Sequence, residues 1–476
     1  MKKRTLLAMA TGILAMSVAV VSQAAEYIFP SAGGELSVPG DWGDAAPGTS
    51  DGITINQNGS YTISSDLEVD AITITANSPS ISAADGVKIT LNAANRGNAL
   101  LGKVNKMNGM TLSGGFYYSP NGASFFPLYA SNLDLRQPGS TATLSGVSIS
   151  NLYIFAAANR FNEAKTTLTN GSRVWMQTLQ VGTGVGCGCT LEVTGGSRIE
   201  CSQHFYPDGS DDNSGCNTLD VHGAGAYVSV GGNPYVGIKS TNNTIRIRDG
   251  ATMKSGGFML GRNYGGNTLE FSNNATGILS SVEMGTVSGK PAHSNMFMIA
   301  SGSSVTMSAK LVVGTYTSDN ALVVDDALLT ISGGINLGNN KDAAATRNSI
   351  TLRGRNPQII AGASQTLTTY NTSTIRFDVP EEGFAGIPLQ CTKYNFGGDV
   401  TFEVECKKFR KAGGGDIVLA QATNAAWIDQ SGGNLASRLP AMNAAQPEGC
   451  SFEIKGAQII YHAPYLPPKG MRMTIR

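Results

Sequence analysis

Charge is scarce in this sequence. Asp, Glu, Lys and Arg make up 14% of its 476 residues, against roughly 25% in an ordinary soluble domain. The 34 basic residues balance the 34 acidic ones, so the chain offers no net charge to draw it to nucleic acid. Aromatic residues are modest at 7%, and histidine occurs only four times. Beyond the N-terminus no stretch approaches the roughly 20 apolar residues needed to span a bilayer. Helical periodicity is missing throughout. Disorder is excluded for a different reason, because apolar residues reach 41% and are evenly spread.

Glycine, by contrast, is abundant at 59 residues. The N-terminus has the pattern of an export signal. Lys2, Lys3 and Arg4 precede an apolar stretch over residues 6–21, and Ser22 and Ala24 supply the small residues of a cleavage site. Residues 1–24 are therefore expected to be a signal peptide. No cysteine stands at the cleavage site, which argues against a lipoprotein. The mature chain is expected to be secreted or held at the cell surface, with no transmembrane anchor.

Length alone suggests about three domains of some 150 residues, but internal repeats override that rule. Between about residues 165 and 380 one phrase recurs. Asn217, Asn243, Asn267, Asn295, Asn320 and Asn348 each open the order Asn, any residue, apolar, any residue, apolar, at intervals of 26, 24, 28, 25 and 28 residues. The apolar pairs run from Leu219 and Val221 through Ile245 and Ile247 to Ile350 and Leu352. Each period holds two more alternating runs. One follows a small turn, as in Val305 and Met307, and the other ends in glycine, as at Leu260-Gly261 and Val313-Gly314. Alternation with period two sends one set of side chains inward and the other outward.

Three short strands per period describe one coil of a parallel β-helix, because each strand can pair with its counterpart about 4.8 Å away in the next coil. A propeller blade needs about 40 residues and four strands. The expected fold class is all-β, a right-handed parallel β-helix of about 25 residues per rung, with handedness taken by analogy. Weaker phrases extend the pattern upstream to about residue 50, giving roughly 14 rungs and a length of about 65–70 Å. Open solenoid ends expose core and strand edges. Residues 25–50 are therefore expected to form an N-terminal cap, 51–399 the β-helix, and 400–476 a β-rich C-terminal cap, with an irregular insertion over 421–449.

The recurring asparagines are expected to form a structural ladder, each amide bonding along the stack. Cys189 aligns with Asn217, and Cys216 falls one residue before it. A rung-to-rung disulfide from Cys189 or Cys187 to Cys216 is therefore expected. Cys391, Cys406 and Cys450 are disulfide candidates within the C-terminal cap, leaving one odd, and Cys201 is expected to be a buried thiol. Cys187-Gly188-Cys189 could instead begin a metal site, but no histidine spacing matches it. Asp208, Asp211 and Asp212 are the only acidic cluster. They offer oxygen ligands to calcium, although a solvated bend accounts for them and no cofactor is expected. His204, His222, His293 and His462 share no register, and His222 should point outward. Lys239, Arg246, Arg248 and Arg262 cluster on adjacent rungs without a companion row of carboxylates. They are expected to be solvated outward positions, and are the candidate glycan face.

Gly40-Asp41-Trp42, Ala46-Pro47-Gly48, Asp51-Gly52-Ile53, Leu67-Glu68-Val69 and Ile72-Thr73-Ile74 resemble the start of exported bacterial parallel β-helix proteins related to autotransporter passenger domains. The stretch from Thr374 to Val379 is similar to the family's endings. Unlike autotransporters, this chain ends without a set of roughly ten-residue amphipathic strands that could build a membrane barrel. The resemblance implies structural and adhesive roles at the cell surface. The expected function is thus a secreted or cell-surface, non-catalytic protein of structural or adhesion type, binding surface glycans or other surface proteins. The alternative is a polysaccharide lyase or glycoside hydrolase on a pectin-lyase-like scaffold, since fold does not decide function.

Overall fold

A computed structural model describes residues 25–463 apart from 43–45, 77, 94–97, 104–107, 130–138, 160–162, 184–187, 208–214, 339–344, 363–364, 407–414 and 429–434. The expected signal peptide, Cys187 and the Asp208, Asp211 and Asp212 cluster lie outside the described residues. The chain winds into a parallel β-solenoid of about 13 turns. Its described strands form one sheet of 26 strands and one of 15.

The Asn-led phrases become strands of the smaller sheet, among them Thr218–His222, Thr244–Arg248, Thr268–Ser272, Met296–Ala300, Ala321–Asp325 and Asn348–Arg353. Their register is strict. Leu219, Ile245, Leu269, Phe297, Leu322 and Ile350 stack in one column. This column and its partner, Val221 to Leu352, are fully buried. A slip of one residue would turn every one of them toward water, which is why the register holds.

The remaining runs of each turn build the larger sheet. They are not always short. Ser148–Asn159, Arg173–Thr183, Arg198–Tyr206, Thr252–Leu260 and Thr276–Met284 are continuous strands of 12, 11, 9, 9 and 9 residues, in place of separate strands of about five. Register shifts between Ile149 and Leu152 and between Met176 and Thr178 mark bulges at which a strand bends without breaking.

The ladder is continuous from Asn217 to Asn348, and its asparagines are all buried. The Oδ1 of Asn267 accepts the backbone N–H of Asn243 at 3.1 Å and its Nδ2–H at 3.0 Å, while the Nδ2 of Asn267 donates to Tyr264 O at 2.6 Å and Asn295 Oδ1 at 3.0 Å. Asn295 and Asn320 repeat the pattern. All the bonding capacity of each amide is used. The column ends at Cys189, whose backbone N–H donates to Asn217 Oδ1 at 2.9 Å, and at Ser373, whose hydroxyl donates to Tyr370 O at 2.6 Å. Asn217 Nδ2 is buried with no partner, so the first asparagine is the least satisfied. The glycine that ends a neighbouring run makes room. Gly261 has φ +73°, and a Cβ there would overlap the Asn295 carboxamide; Gly314 stands in the same relation to Asn348.

Both ends are closed by aromatics. Phe29 meets Trp42 edge-on at 4.7 Å and Tyr61 at 5.5 Å, and Trp42 Nε1 donates to Leu36 O. Residues 25–50 already contribute to the stack, since Glu26–Ile28 pairs in parallel with Gly52–Ile55 and Gly33–Glu35 with Ser60–Ile63. At the other end, Asp399–Glu405 still pairs in parallel with Thr372–Asp378. The parallel stack therefore runs past residue 399. Gly415–Gln421 and Ser451–Lys455 then flank Gln458–Ala463 in antiparallel pairing. Within the stretch expected to be irregular lies a helix, Leu435–Ala444, held to the hairpin by Asn443, whose Oδ1 accepts Phe452 N–H at 2.6 Å. Its apolar residues are spread thinly around the helix and Pro440 interrupts it, so the sequence carries no helical period there.

Replacing Asn295 by alanine removes the acceptor of two Asn267 donors and should cost about 3 kcal/mol in denaturant unfolding. Asn217→Ala, at the ladder's poorly satisfied end, should cost distinctly less. Equal losses would show that the ladder does not act as a bonded unit.

Candidate functional site

The outward positions of the larger sheet assemble a strip along the solenoid axis. Lys88, Phe116, Ser148, Arg173, Arg198 and Tyr227 are successive register partners. The column covers five rung intervals, or about 24 Å. Beside it run Thr90, Tyr118 and Ser150, then Trp175, Glu200 and Ser229. Phe116 and Tyr118 lie nearly parallel, 6.3 Å apart. Lys88 Nζ sits 5.2 Å over the Tyr118 ring, and the Arg198 guanidinium 5.9 Å over Tyr227. Lys88, Arg173, Arg198 and Glu200 are exposed.

A hollow of about 490 Å³ opens in this strip, lined by Asn151, Trp175, Gln177, Glu200, Ser202 and Ser229 among others. The two bulges create it. Ser150 and Asn151 together oppose Trp175. Asn151 takes up the extra length with φ 59°, and its Nδ2 donates to Ser119 O at 2.6 Å. On the far side Cys201 closes the floor. Its sulfur lies 3.1 Å from Gln177 O and 3.0 Å from His204 O, with one S–H shared between them, burial pushes its pKa up, and it is 2% exposed. Arg198–Tyr206 continues from the hollow to a second aromatic group. His204, Tyr206 and Tyr235 have ring centres 5.7–5.8 Å apart, and the Arg262 guanidinium lies 4.7 Å over Tyr235.

The candidate glycan face of the sequence is divided. Arg262 belongs to this aromatic group, and Lys239 lies in the turn after Tyr235–Val236. Arg246 and Arg248 stand instead on the outer face of the smaller sheet, and the expectation that they lack companion carboxylates is incorrect. Arg246 Nε donates to Glu270 at 3.1 Å, while Arg248 grips Asp220 with two bonds of 3.0 and 2.9 Å and also reaches Asp249 at 2.7 Å. From Asp220 through Arg246 to Glu270 carboxylate and guanidinium alternate over three successive rungs, which the spacing of arginines alone does not reveal.

That face also brings Glu192, Asp220 and His222 together, with their ligating atoms within 4.8 Å of one another. His222 does point outward, with its Nε2 3.2 Å from Glu192, and Lys165 Nζ is 2.9 Å from the same carboxylate. Burial pushes the Glu192 carboxyl up, but hydrogen bonds from Lys165, His222 and Thr167 outweigh it and hold the pKa below the ordinary 4.5. A general acid needs the opposite shift. The cations already bound to Glu192 and Asp220 also occupy the oxygens a metal would need. The group is built as an ion ladder.

Cys189 and Cys216 are not joined by a disulfide. Cys189 shares the inward column of Asn217 and is buried, whereas Cys216, one residue before that asparagine, sits at a bend with φ 59° and is exposed. Register favours proximity of the backbones, but the bend at Cys216 leaves one thiol in solvent and the other in the core.

Sequence reasoning passed over the strip itself. Its signal is the phrase outward, apolar, outward, repeated as Phe116-Tyr117-Tyr118, Arg173-Val174-Trp175, Arg198-Ile199-Glu200 and Tyr227-Val228-Ser229. No family model, no curated protein and no solved structure matches this chain.

A carboxyl whose folded pKa is depressed contributes stability that is present above its unfolded value and is lost as pH falls through the folded one. The resistance of the wild type to denaturant should therefore weaken as pH drops below 4.5. Glu192→Gln should flatten part of that decline, and an unchanged pH profile would rule out the ladder's contribution.

Proposed function

We propose that this chain is an exported, non-catalytic β-solenoid of the cell surface or extracellular space, related to autotransporter passenger domains. In this reading it binds linear acidic glycans along its long axis. The observation that carries the reading is the strip from Lys88 to Tyr227. Pyranose rings have an apolar C–H face that suits Phe116, Tyr118, Trp175 and Tyr227. Their hydroxyls suit Asn151, Gln177 and Glu200, and Lys88, Arg173 and Arg198 complement carboxylate or sulfate groups. Rung spacing of about 4.8 Å is close to the length of one sugar unit, so consecutive rungs can address consecutive sugars. The same partly exposed rings and exposed cations serve adhesion to glycan-coated surfaces without any chemical step.

The rival, a polysaccharide lyase or glycoside hydrolase, is favoured by one observation, the gathering of Glu192, Asp220 and His222 with Lys165 and Arg248 across four successive rungs of one face. The depressed Glu192 carboxyl and its paired cations weigh against that reading.

On a panel of immobilised polysaccharides the mature chain should bind acidic members more tightly than neutral ones, and added salt should weaken the binding. Trp175→Ala and Arg198→Ala should each lower affinity about tenfold, while Arg248→Ala on the other face should not. Indifference to both substitutions would end the proposal. Release of unsaturated sugars, abolished by His222→Ala, would establish the rival.

A further inference from the structure

The C-terminal cap brings two chain segments together through sulfur. Cys406 follows directly on Asp399–Glu405, the last parallel strand of the smaller sheet, and Cys450 directly precedes Ser451–Lys455 of the antiparallel hairpin. Phe402 on the first segment and Phe452 on the second have ring centres 6.3 Å apart, and Phe452 packs on Tyr461 at 5.0 Å; the Cys406 and Cys450 thiols, both free in the structure, neighbour each other beside Tyr461. Both cysteines are half-buried against the core. The third thiol of this region is placed differently. Cys391 is 4% exposed and engages the Tyr394 hydroxyl, and burial pushes it up to about 12.

We propose that Cys406 and Cys450 are a dithiol that closes to a disulfide, pinning the hairpin and its helix to the last coil, while Cys391 stays reduced. The oxidant is a disulfide-bearing molecule. One cysteine thiolate attacks its S–S bond, expelling a thiolate and forming a mixed disulfide. The second cysteine thiolate then displaces the remaining half. One S–S bond forms in the protein and one breaks in the oxidant, two thiol protons are released, and two electrons pass from the protein sulfurs to the oxidant. The bond would tie the ends of a segment containing the helix and the stretch 407–414, and so restrict opening of the cap when the chain unfolds. Burial, with the nearby Cys450, pushes the Cys406 thiol up. Closure should therefore quicken as pH rises, because the thiolate is the attacking species.

The inference does not depend on glycan binding or on export, and the test uses the full chain in solution. The reduced protein is incubated with oxidised glutathione, its remaining thiols are alkylated under native conditions, and it is digested without reduction for mass spectrometry. The expected product is a single peptide pair joining Cys406 to Cys450, with Cys391 alkylated only after denaturation. In Cys450→Ser the pair should vanish and Cys406 should carry glutathione or alkylating label instead. Dithiothreitol should lower the unfolding temperature of the oxidised wild type and leave that of Cys450→Ser unchanged. Recovery of Cys406 and Cys450 as free thiols after oxidation, or a bond from either to Cys391, would overturn the proposal.

Discussion

A carboxamide buried in an apolar column is tolerated only when both its oxygen lone pairs and both its N–H groups find partners. In this solenoid those partners come from the rung before, the rung after and the turn just preceding. Asn267, Asn295 and Asn320 each meet the condition, with both oxygen acceptances coming from the asparagine one rung before. Every rung must therefore return to the same height and angle as the last, although the intervals between asparagines vary from 24 to 28 residues. The variation is absorbed in the turns, and the vertical alignment is not negotiable. The buried columns of Leu, Ile, Val and Phe beside the ladder follow from that alignment, and so does the outward alternation that arms both faces.

The two faces use the same alternation to different ends. On the smaller sheet the outward residues neutralise one another from rung to rung, as Asp220 with Arg248 and Glu270 with Arg246. Such pairs are partly screened and add modestly to stability, and they leave little charge for a ligand. Along the strip of the larger sheet from Lys88 to Tyr227 the cations instead lie beside aromatic rings. Aromatic rings and cations follow one another along the axis, and the bulges at Asn151 and beyond Met176 open a hollow among them. Two local insertions thus convert a regular wall into a shaped surface.

The fold was largely legible because its signals are local. The alternation of Ile245 and Ile247, the asparagine before each phrase and the glycine after each run can all be found with a short window. The helix Leu435–Ala444 was not legible, since its weak amphipathic pattern is broken by Pro440 and its stability comes from packing on the hairpin. The candidate surface was half legible. Arg262 was singled out, but its stacking on Tyr235 and the alignment of Trp175 with Glu200 depend on which residue of one coil meets which residue of the next.

By itself the sequence determined the period, the inward and outward sets, the parallel stacking and the buried ladder, because period-two alternation and the repeat phrase encode them within each coil. Only the tertiary structure decided where strands fuse and bulge, which charges cancel, and which thiols meet. Those outcomes depend on register between segments some 20 to 30 residues apart. A shift of one residue there changes the side of the sheet on which a side chain lies.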